Sequence, residues 1–163
     1  MIQIYTGDGK GKTTAAVGLT IRAVGAGKKV AFFQFMKGLK SHEVEVLERL
    51  GVLVDREWDG KFVVGEPTKE QRQMVQLQYH RAIKAVGGLY DLVVLDEIIV
   101  AHHFNLLSEE QVLRLMELAR CELVLTGQKA TSKMIERADL VTEMKKIKHY
   151  FDQGVQAREG FEF

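Results

Sequence analysis

Cysteine and proline are nearly absent from this chain. Its 163 residues include one cysteine and one proline, and only 8% of them are aromatic. Because Cys121 has no partner in the chain, an internal disulfide is excluded, which fits a reducing compartment. No apolar run reaches the roughly 18 residues of a membrane-spanning helix, so no membrane association is expected. Met1 leads directly into the apolar residues 2–5, which leaves no room for a signal peptide and favours the cytoplasm.

An excess of either charge is also absent. The chain has 23 basic and 22 acidic residues and a net charge of +1, so composition provides no drive toward nucleic acid or anionic membranes. The hydrophobic fraction of 46% is ordinary for a globular protein and is sufficient for a core. We therefore expect one globular domain that covers residues 1–163.

Glycine, in contrast, is concentrated near the amino terminus, in Gly7-Asp8-Gly9-Lys10-Gly11-Lys12-Thr13-Thr14. This segment follows the apolar run Ile2–Tyr5 and opens a helix-forming stretch, which is the context of a phosphate-binding loop. Glycines allow several backbone N–H groups to point at one anion. A helix that begins near Gly11 adds the positive end of its dipole.

Side chains of the same segment add charge and a metal ligand. Lys12 supplies a positive charge for the outer phosphates, and Thr13 offers a hydroxyl to Mg²⁺. Thr6 stands where the usual pattern has its first glycine, so we expect Gly7 and Gly9 to provide the missing flexibility. The alternative is a glycine turn that binds nothing.

Apolar runs alternate with helical patterns along the chain. The patterns predict strands at 2–5, 30–35, 52–54, 91–95, 122–125 and 140–142, and helices at 12–26, 42–50, from about Pro67 to Gly88, from Ser108 with a capping box to Gln111, and at 131–137. This alternation predicts an α/β fold: a mostly parallel sheet of five to six strands with helices on both faces. Ligands of such folds bind at the carboxyl ends of the strands. Four segments are therefore expected at one edge: the glycine loop, the residues after Phe35, Asp96-Glu97 and Thr126-Gly127.

An acidic pair, Asp96-Glu97, ends the strand predicted at residues 91–95. Together with a phosphate loop, an acid in this position typically holds Mg²⁺ directly or through water. Glu97 is expected to share the metal or to orient a water. The alternative is a pair of solvated carboxylates at a strand end. Taken together, the motifs predict a Mg²⁺-dependent nucleoside triphosphate site but do not indicate which bond breaks.

Several other residues have both a functional and a structural interpretation. Lys37, at the tip of the second strand, fits a phosphate contact or an ordinary surface lysine. Arg22, on the first helix, fits a nucleotide contact or a surface ion pair. Trp58 would bind a flat ligand if exposed and would belong to the core if packed. The adjacent His102 and His103 point in different directions, which makes them a poor pair of metal ligands.

Three blocks of the sequence resemble one known family. The first block runs from Gly7 through Ala16 and continues to Gln34-Phe35-Met36-Lys37-Gly38. The second is Asp91 through Glu97. The third comprises Leu125-Thr126-Gly127, Ala138 through Met144, Lys148-His149 and residues 154–163. This pattern resembles the corrinoid (cob(I)alamin) adenosyltransferases of the phosphate-loop type. The resemblance implies a P-loop NTPase-like (RecA-like) fold.

The resemblance also implies a reaction. A reduced corrinoid, with cobalt in the +1 state, attacks the 5′ carbon of ATP, and inorganic triphosphate leaves. No general base is needed because Co(I) already carries the electron pair, which agrees with the lack of a nucleophile–base pair among the motifs. Mg²⁺ as cofactor, an electron-donor reductase and a homodimer are further implications. The alternative is a P-loop ATPase, a kinase or an ATP-binding regulatory module without corrinoid transfer.

By this resemblance, Lys12, Thr13 and Glu97 are the catalytic residues, and Thr13, Asp96 and Glu97 hold the metal. The nucleotide would contact Thr6, Gly7, Asp8, Gly9, Lys10, Gly11, Lys12, Thr13, Thr14, Arg22 and Lys37. His149 and its neighbours would help to close the site. The chain departs from the family in its middle region, where Trp58 and Phe62 do not reproduce the usual Phe-x-Trp element. It departs again after the acidic pair, where residues 98–101 replace an Asn and an aromatic residue. ATP binding is therefore better supported than corrinoid handling.

Overall fold

Six strands form a parallel sheet in the computed structural model, which describes residues 1–38, 41–61 and 63–162. Phe62 and Phe163, named above, lie outside these residues. The strands are β1 Ile2–Thr6, β2 Val30–Gln34, β3 Leu53–Arg56, β4 Leu92–Asp96, β5 Glu122–Thr126 and β6 Leu140–Glu143. Their order in the sheet is β3-β2-β4-β5-β1-β6, and every neighbouring pair is parallel. The predicted fold class is confirmed.

The helices connect successive strands. They are α1 Lys12–Gly25, α2 His42–Arg49, α3 Lys69–Val86, α4 Ile98–His103, α5 Glu109–Leu118 and α6 Ser132–Arg137, followed by a 3-10 helix at Tyr150–Gln153. The predicted Ser108–Gln111 capping box is present at the start of α5. α3 begins at a second capping box, between Thr68 and Gln71, rather than at Pro67. No helix in the described ranges is long and apolar enough to cross a lipid bilayer.

Both faces of the sheet are buried, and alternate residues of each strand face opposite layers. Phe33 and Leu95 pack into a cluster that includes residues of α3 to α6. Phe32 and Val94 pack into the second cluster, against α1 and α2. All four side chains are almost completely buried, which is why these strands read as continuous apolar runs in the sequence.

The register of the sheet aligns the ends of the strands that carry the predicted motifs. Gln34 of β2 pairs with Asp96 of β4. Tyr5 of β1 pairs with Thr126 of β5, and Thr6 pairs with Glu143 of β6. The residues that follow β1, β2, β4 and β5 therefore meet at one edge of the sheet.

Candidate functional site

The glycine loop between β1 and α1 lies directly against the chain that leaves β6. Gly7 and Gly11 have φ angles of 97° and 120°, a region that other residues rarely adopt. A Cβ atom on Gly7 or Gly9 would lie 2.4 or 2.7 Å from the carbonyl oxygen of Met144. Glycine is therefore required at these positions by a close backbone approach as well as by the curl of the loop.

Backbone hydrogen bonds fasten the loop to this neighbour. The Gly9 N–H donates to Met144 O at 2.6 Å, and the Met144 N–H donates to Thr6 O at 2.8 Å. Asp8 Oδ1 accepts from the Lys146 N–H at 2.9 Å, and this bond keeps the pKa of Asp8 below its usual value. The Gly9 amide therefore donates to Met144, so this one amide does not point at an anion as expected of the loop. Donors for an anion come from the first turn of α1, whose N–H groups have no intrahelical acceptor.

Lys12 lies folded against the loop that carries it. Its Nζ donates to Gly7 O at 2.9 Å and to Gly9 O at 2.7 Å, and the residue is only 8% exposed. Burial lowers the pKa of this ammonium group. The loop therefore holds a positive charge beside the amino terminus of α1, where an anion is favoured.

A second group of side chains forms where β4 ends beside α1. Thr13 Oγ1 donates to Asp96 Oδ1 at 3.0 Å, and Lys37 Nζ donates to Asp96 Oδ2 at 2.6 Å and to Thr13 Oγ1 at 3.1 Å. Thr126 Oγ1, at the end of β5, donates to Asp96 Oδ1 at 2.6 Å. Asp96 is fully buried, so these donors and the Lys37 charge compensate its desolvation.

Glu97 continues from Asp96 with a left-handed backbone, φ 62°, and precedes the first residue of α4. Its N–H donates to Thr126 Oγ1 at 3.0 Å, which ties the turn to β5. Burial raises the pKa of Glu97, and the Asp96 charge raises it further, while Lys37 and Lys12 oppose these effects.

The Thr13 and Asp96 oxygens suit Mg²⁺ by their chemistry. Magnesium in nucleotide sites takes oxygen ligands, usually one or two protein groups together with phosphate oxygens and water. The Lys37 ammonium contacts both Thr13 Oγ1 and Asp96 Oδ2, so this pair already holds a cation. Within residues 1–38, 41–61 and 63–162, no three His, Cys, Asp or Glu side chains form a cluster that could hold a metal.

A cavity of about 490 Å³ joins the loop to Lys37 and Glu97, whereas the fully buried Asp96 is not part of its lining. It is lined by Asp8, Gly9, Lys10, Gly11, Lys12, Thr13, Thr14, Val17, Lys37, His42, Glu43, Glu97, Gln128, His149, Gly160, Phe161 and Glu162. A second cavity of about 390 Å³ shares Lys12, Glu97 and Gln128 with the first. The structure therefore brings most of the predicted site residues around one space.

The carboxyl-terminal tail, residues 154–162, covers one side of this cavity. Lys10 Nζ donates to Glu162 Oε1 at 2.5 Å, to Tyr150 OH at 2.7 Å and to Phe161 O at 2.9 Å. The Tyr150 hydroxyl and the Arg158 guanidinium also donate to Glu162, and these bonds hold the pKa of that carboxyl far below its usual range. Lys10 of the glycine loop is thus bound to the tail.

A second contact joins the tail to α2. His42 Nε2, in the first residue of α2, lies 2.7 Å from Glu159 Oε1. His149 lines the cavity at the start of the 3-10 helix, where its Nδ1 accepts from the Phe151 N–H at 3.1 Å. The end of the chain thus lines the cavity, and its role in closing the site over a nucleotide stays a prediction.

Three predicted nucleotide contacts, Thr6, Gly7 and Arg22, do not line the cavity in the described structure. Arg22 is an exposed residue in the last turn of α1, about 15 Å along the helix axis from Lys12 by the usual rise per residue. Thr6 is buried at the end of β1, and its Oγ1 accepts from the Ala130 N–H at 3.4 Å. Gly7 contributes its backbone carbonyl to Lys12 rather than lining the cavity.

Packing shows whether Trp58 belongs to the core and whether His102 and His103 share a partner. Trp58 is partly buried against the core, and its Nε1 donates to Lys61 O at 2.8 Å. His102 Nδ1 lies 3.1 Å from Leu107 O, while His103 Nε2 lies 2.9 Å from Lys129 Nζ. The two imidazoles therefore have separate partners, as expected of adjacent residues.

His42, Glu43 and Gln128 line the cavity but were not predicted. Gln128 lies two residues after β5, and the rule that ligands gather at strand ends could have identified it. Glu43 accepts from Gln34 Nε2 at 2.9 Å and from Ser41 Oγ at 2.5 Å. Burial acts to raise the pKa of Glu43, but these hydrogen bonds outweigh it and the pKa is lowered. Nothing in the local sequence of α2 indicates this position.

Comparison with known proteins identifies close sequence relatives. A family model described as "ATP:corrinoid adenosyltransferase BtuR/CobO/CobP" matches residues 1–163. The chain is 35% identical to a corrinoid adenosyltransferase of Pseudomonas aeruginosa over 171 residues, which cover all of this chain and 83% of that protein. It is 34% identical to a corrinoid adenosyltransferase of Escherichia coli K12 over 171 residues, which cover all of this chain and 85% of the relative.

Solved structures share the fold at much lower sequence identity. A RadB recombinase superposes with a TM-score of 0.52 at 20% identity, over 91% of this chain and 75% of the other. A KaiC-like protein from Pyrococcus horikoshii superposes with a TM-score of 0.55 at 19% identity, over 87% and 71%. These similarities confirm the RecA-like fold and carry no information on the reaction.

Proposed function

The chain belongs to the ATP:corrinoid adenosyltransferase family and is a transferase, and we propose that it moves the 5′-deoxyadenosyl group of ATP to the cobalt of a Co(I) corrinoid, with release of inorganic triphosphate. The observation that carries this proposal is one cavity lined by Lys12 and Thr13 of the loop together with Lys37 and Glu97, where Thr13 and Lys37 are both hydrogen-bonded to the buried Asp96. That arrangement fits a magnesium-bound polyphosphate. Family membership supplies the second substrate.

The proposed step forms one bond and breaks another. The electron pair of Co(I) forms the cobalt–C5′ bond, and the C5′–O5′ bond breaks with its pair on the departing triphosphate. Negative charge therefore grows on the departing triphosphate, whereas in phosphoryl transfer it is spread over the three equatorial oxygens of the transferred phosphoryl group. Lys12 and the first N–H groups of α1 lie where they would stabilise that charge.

Thr13 and Asp96 would hold Mg²⁺ in this scheme, with Glu97 beside them. When bound, the ion neutralises charge on the phosphate oxygens and so assists the leaving group. Asp96 would keep its hydrogen bond from Thr126, which orients the carboxylate as an outer partner orients a metal ligand. A nearby cation would also favour the charged form of Glu97, whose pKa is otherwise raised by burial.

The other substrate sets the remaining requirements. Cobalt reaches the +1 state only with an electron donor, so a reductase is part of the proposal. We also propose a homodimer. The carboxyl-terminal tail, held by Lys10 and by His42, would keep the nucleotide in place during transfer.

A transfer assay tests this function. The protein is incubated with ATP, Mg²⁺ and cobalamin that has been chemically reduced to Co(I), and the corrinoid products are separated by chromatography. We expect adenosylcobalamin that depends on ATP and on protein. The absence of any adenosylated corrinoid, with ATP turned over, would instead indicate an ATPase or kinase.

Two variants accompany the assay. Lys12→Met is expected to reduce transfer strongly because it removes the buried charge of the loop. Arg22→Met removes a charge from the same helix outside the cavity and is expected to retain activity close to that of the unaltered protein. Equal losses in both variants would contradict the assignment of the site.

A further inference from the structure

Lys37 contacts the metal side of the site. Its ammonium group lies 2.6 Å from Asp96 Oδ2 and 3.1 Å from Thr13 Oγ1. These are the same two oxygens that the proposed function assigns to Mg²⁺. An ammonium group and a divalent cation therefore compete for one pair of ligands.

The backbone around Lys37 holds it in this position. Met36 has a left-handed conformation, φ 57°, which is uncommon for a residue other than glycine. A Cβ atom on Gly38 would lie 2.4 Å from Gly60 N and 2.7 Å from Trp58 O, so the neighbouring loop touches the backbone directly. Only 26% of the Lys37 side chain is exposed, so most of its surface is buried, unlike that of an ordinary surface lysine. The end of β2 is thus shaped to turn Lys37 toward Asp96.

We infer that Lys37 is a tethered cation that occupies the metal's place on Asp96 and Thr13 and leaves it only when a polyphosphate offers a new anionic partner. Divalent metal would then enter together with the nucleotide. The displaced ammonium would move to the phosphate chain and add positive charge to the leaving group. This inference rests on the proposed Mg²⁺–ATP site.

The reason is electrostatic. A metal ion alone would have to break a charge-assisted hydrogen bond to a fully buried carboxylate and leave the Lys37 ammonium without its partner. Lys37 also lines the cavity. When a polyphosphate is bound there, its oxygens can replace Asp96 as the anionic partner of the Lys37 ammonium. Metal and polyphosphate should therefore bind with strong positive coupling.

Electron paramagnetic resonance of Mn²⁺ measures this coupling without corrinoid or transfer. Mn²⁺ prefers the same oxygen ligands as Mg²⁺. We expect the unaltered protein to bind Mn²⁺ weakly alone and tightly with inorganic triphosphate. Tight binding of Mn²⁺ without triphosphate would overturn the role of Lys37. Failure to bind Mn²⁺ even with triphosphate would contradict the metal site itself. Failure of corrinoid transfer alone would contradict the proposed function but not the coupling of metal and polyphosphate.

Variants of Lys37 separate displacement from simple charge attraction. Lys37→Met should bind Mn²⁺ alone about tenfold to a hundredfold more tightly, the range expected when a competing hydrogen bond to a charged group is lost. The same variant should bind Mg²⁺–triphosphate more weakly. Lys37→Arg, which keeps the cation, should restore weak binding of Mn²⁺ alone.

Lys133→Met is the matched control, since it removes a lysine that is paired with a carboxylate, Glu109, outside the cavity. Its Mn²⁺ affinity should stay close to that of the unaltered protein. An equal gain in the Lys133 and Lys37 variants, or no gain in Lys37→Met, would overturn the inference. If Lys37→Met does not fold by circular dichroism, Lys37→Gln, which also removes the charge but keeps a hydrogen-bonding side chain, takes its place, and the absence of any gain in its affinity for Mn²⁺ alone would overturn the inference.

Discussion

Asp96 illustrates which residues of the site are predictable from sequence. An acid at the end of an apolar strand is visible in the sequence, and its general role follows from the phosphate loop. Its actual partners, Lys37 and Thr126, come from strands that are distant in sequence but adjacent in the sheet. The same limit applies to Gly9, because its amide partner Met144 is set by the neighbouring strand rather than by the loop.

The Thr13 hydroxyl gives a prediction for a single side chain. Thr13→Ala should weaken binding of Mg²⁺–ATP about tenfold or more, by loss of a hydrogen-bonding group next to charged partners. It should weaken binding of metal-free ATP less, because the loop and Lys12 are retained. Calorimetry with and without EDTA measures both affinities. Thr13→Ser keeps the hydroxyl and serves as control, and equal losses with and without metal in Thr13→Ala would contradict a role as metal ligand.

Glu97 gives a pH-dependent prediction. Its pKa is raised in the folded protein by burial and by Asp96, so the folded state binds more protons than the unfolded state between the ordinary and the raised pKa. The stability from this group is present below the ordinary pKa and is lost as pH rises through the raised value. Glu97→Gln should therefore be more stable than the unaltered protein at neutral pH.

Urea unfolding at several pH values measures the effect of Glu97→Gln. The difference in free energy of unfolding should shrink as the pH falls through the raised pKa and should vanish below the ordinary carboxyl pKa. A variant that is less stable at neutral pH would show that the surroundings favour the charged form of Glu97, which contradicts a raised pKa.

Among the elements, the six strands and most helices were predictable from the sequence, including the short β3, β6 and α6, whereas α4 was not. The β-strands and the longer helices follow from apolar periodicity, and the capping box at α5 follows from Ser108 and Gln111. α4 was missed because six residues of mixed pattern after Glu97 give too little periodicity, and its start depends on a left-handed backbone at Glu97. The start of α3 was placed at Pro67, although Thr68 supplies the cap.

The cap of α3 is testable alone. Thr68→Ala should lower the free energy of unfolding by about 1 kcal/mol, the usual cost of a lost N-cap. Thr68→Ser, which preserves the capping oxygen, should recover most of the loss. Because Thr68 lies outside the loop cavity, the affinity for ATP should stay unchanged. Denaturant titration and calorimetry check the two statements, and a loss of ATP affinity would contradict the separation of cap and site.

The carboxyl-terminal tail is an element held mainly by side chains. Glu162 accepts from Lys10, Tyr150 and Arg158, so Glu162→Gln should loosen residues 154–162 and speed tryptic cleavage after Arg158. Glu136→Gln, the same change on an exposed position of α6, is the control. Cleavage rates followed by mass spectrometry decide the matter, and equal rates in the two variants would contradict a tail anchored at Glu162.

For the whole molecule, the order of strands brings the pieces together. Alternating strands and helices predicted a parallel sheet, but not the order β3-β2-β4-β5-β1-β6. That order puts β1 between β5 and β6 and puts β4 beside β2, so the glycine loop, Lys37, Asp96 and the tail share one edge. The order depends on long-range pairing, which no local pattern encodes. Membership of the family is the ground for proposing a corrinoid as the second substrate, which the cavity alone does not indicate.

The central claim is that the bond broken in ATP is C5′–O5′. Phosphorus-31 NMR of a reaction with ATP, Mg²⁺ and a Co(I) corrinoid tests it most directly, because it distinguishes the phosphate products. The account predicts inorganic triphosphate in equal amount to the adenosylated corrinoid. ADP and orthophosphate as the products, with the corrinoid unchanged, would contradict it.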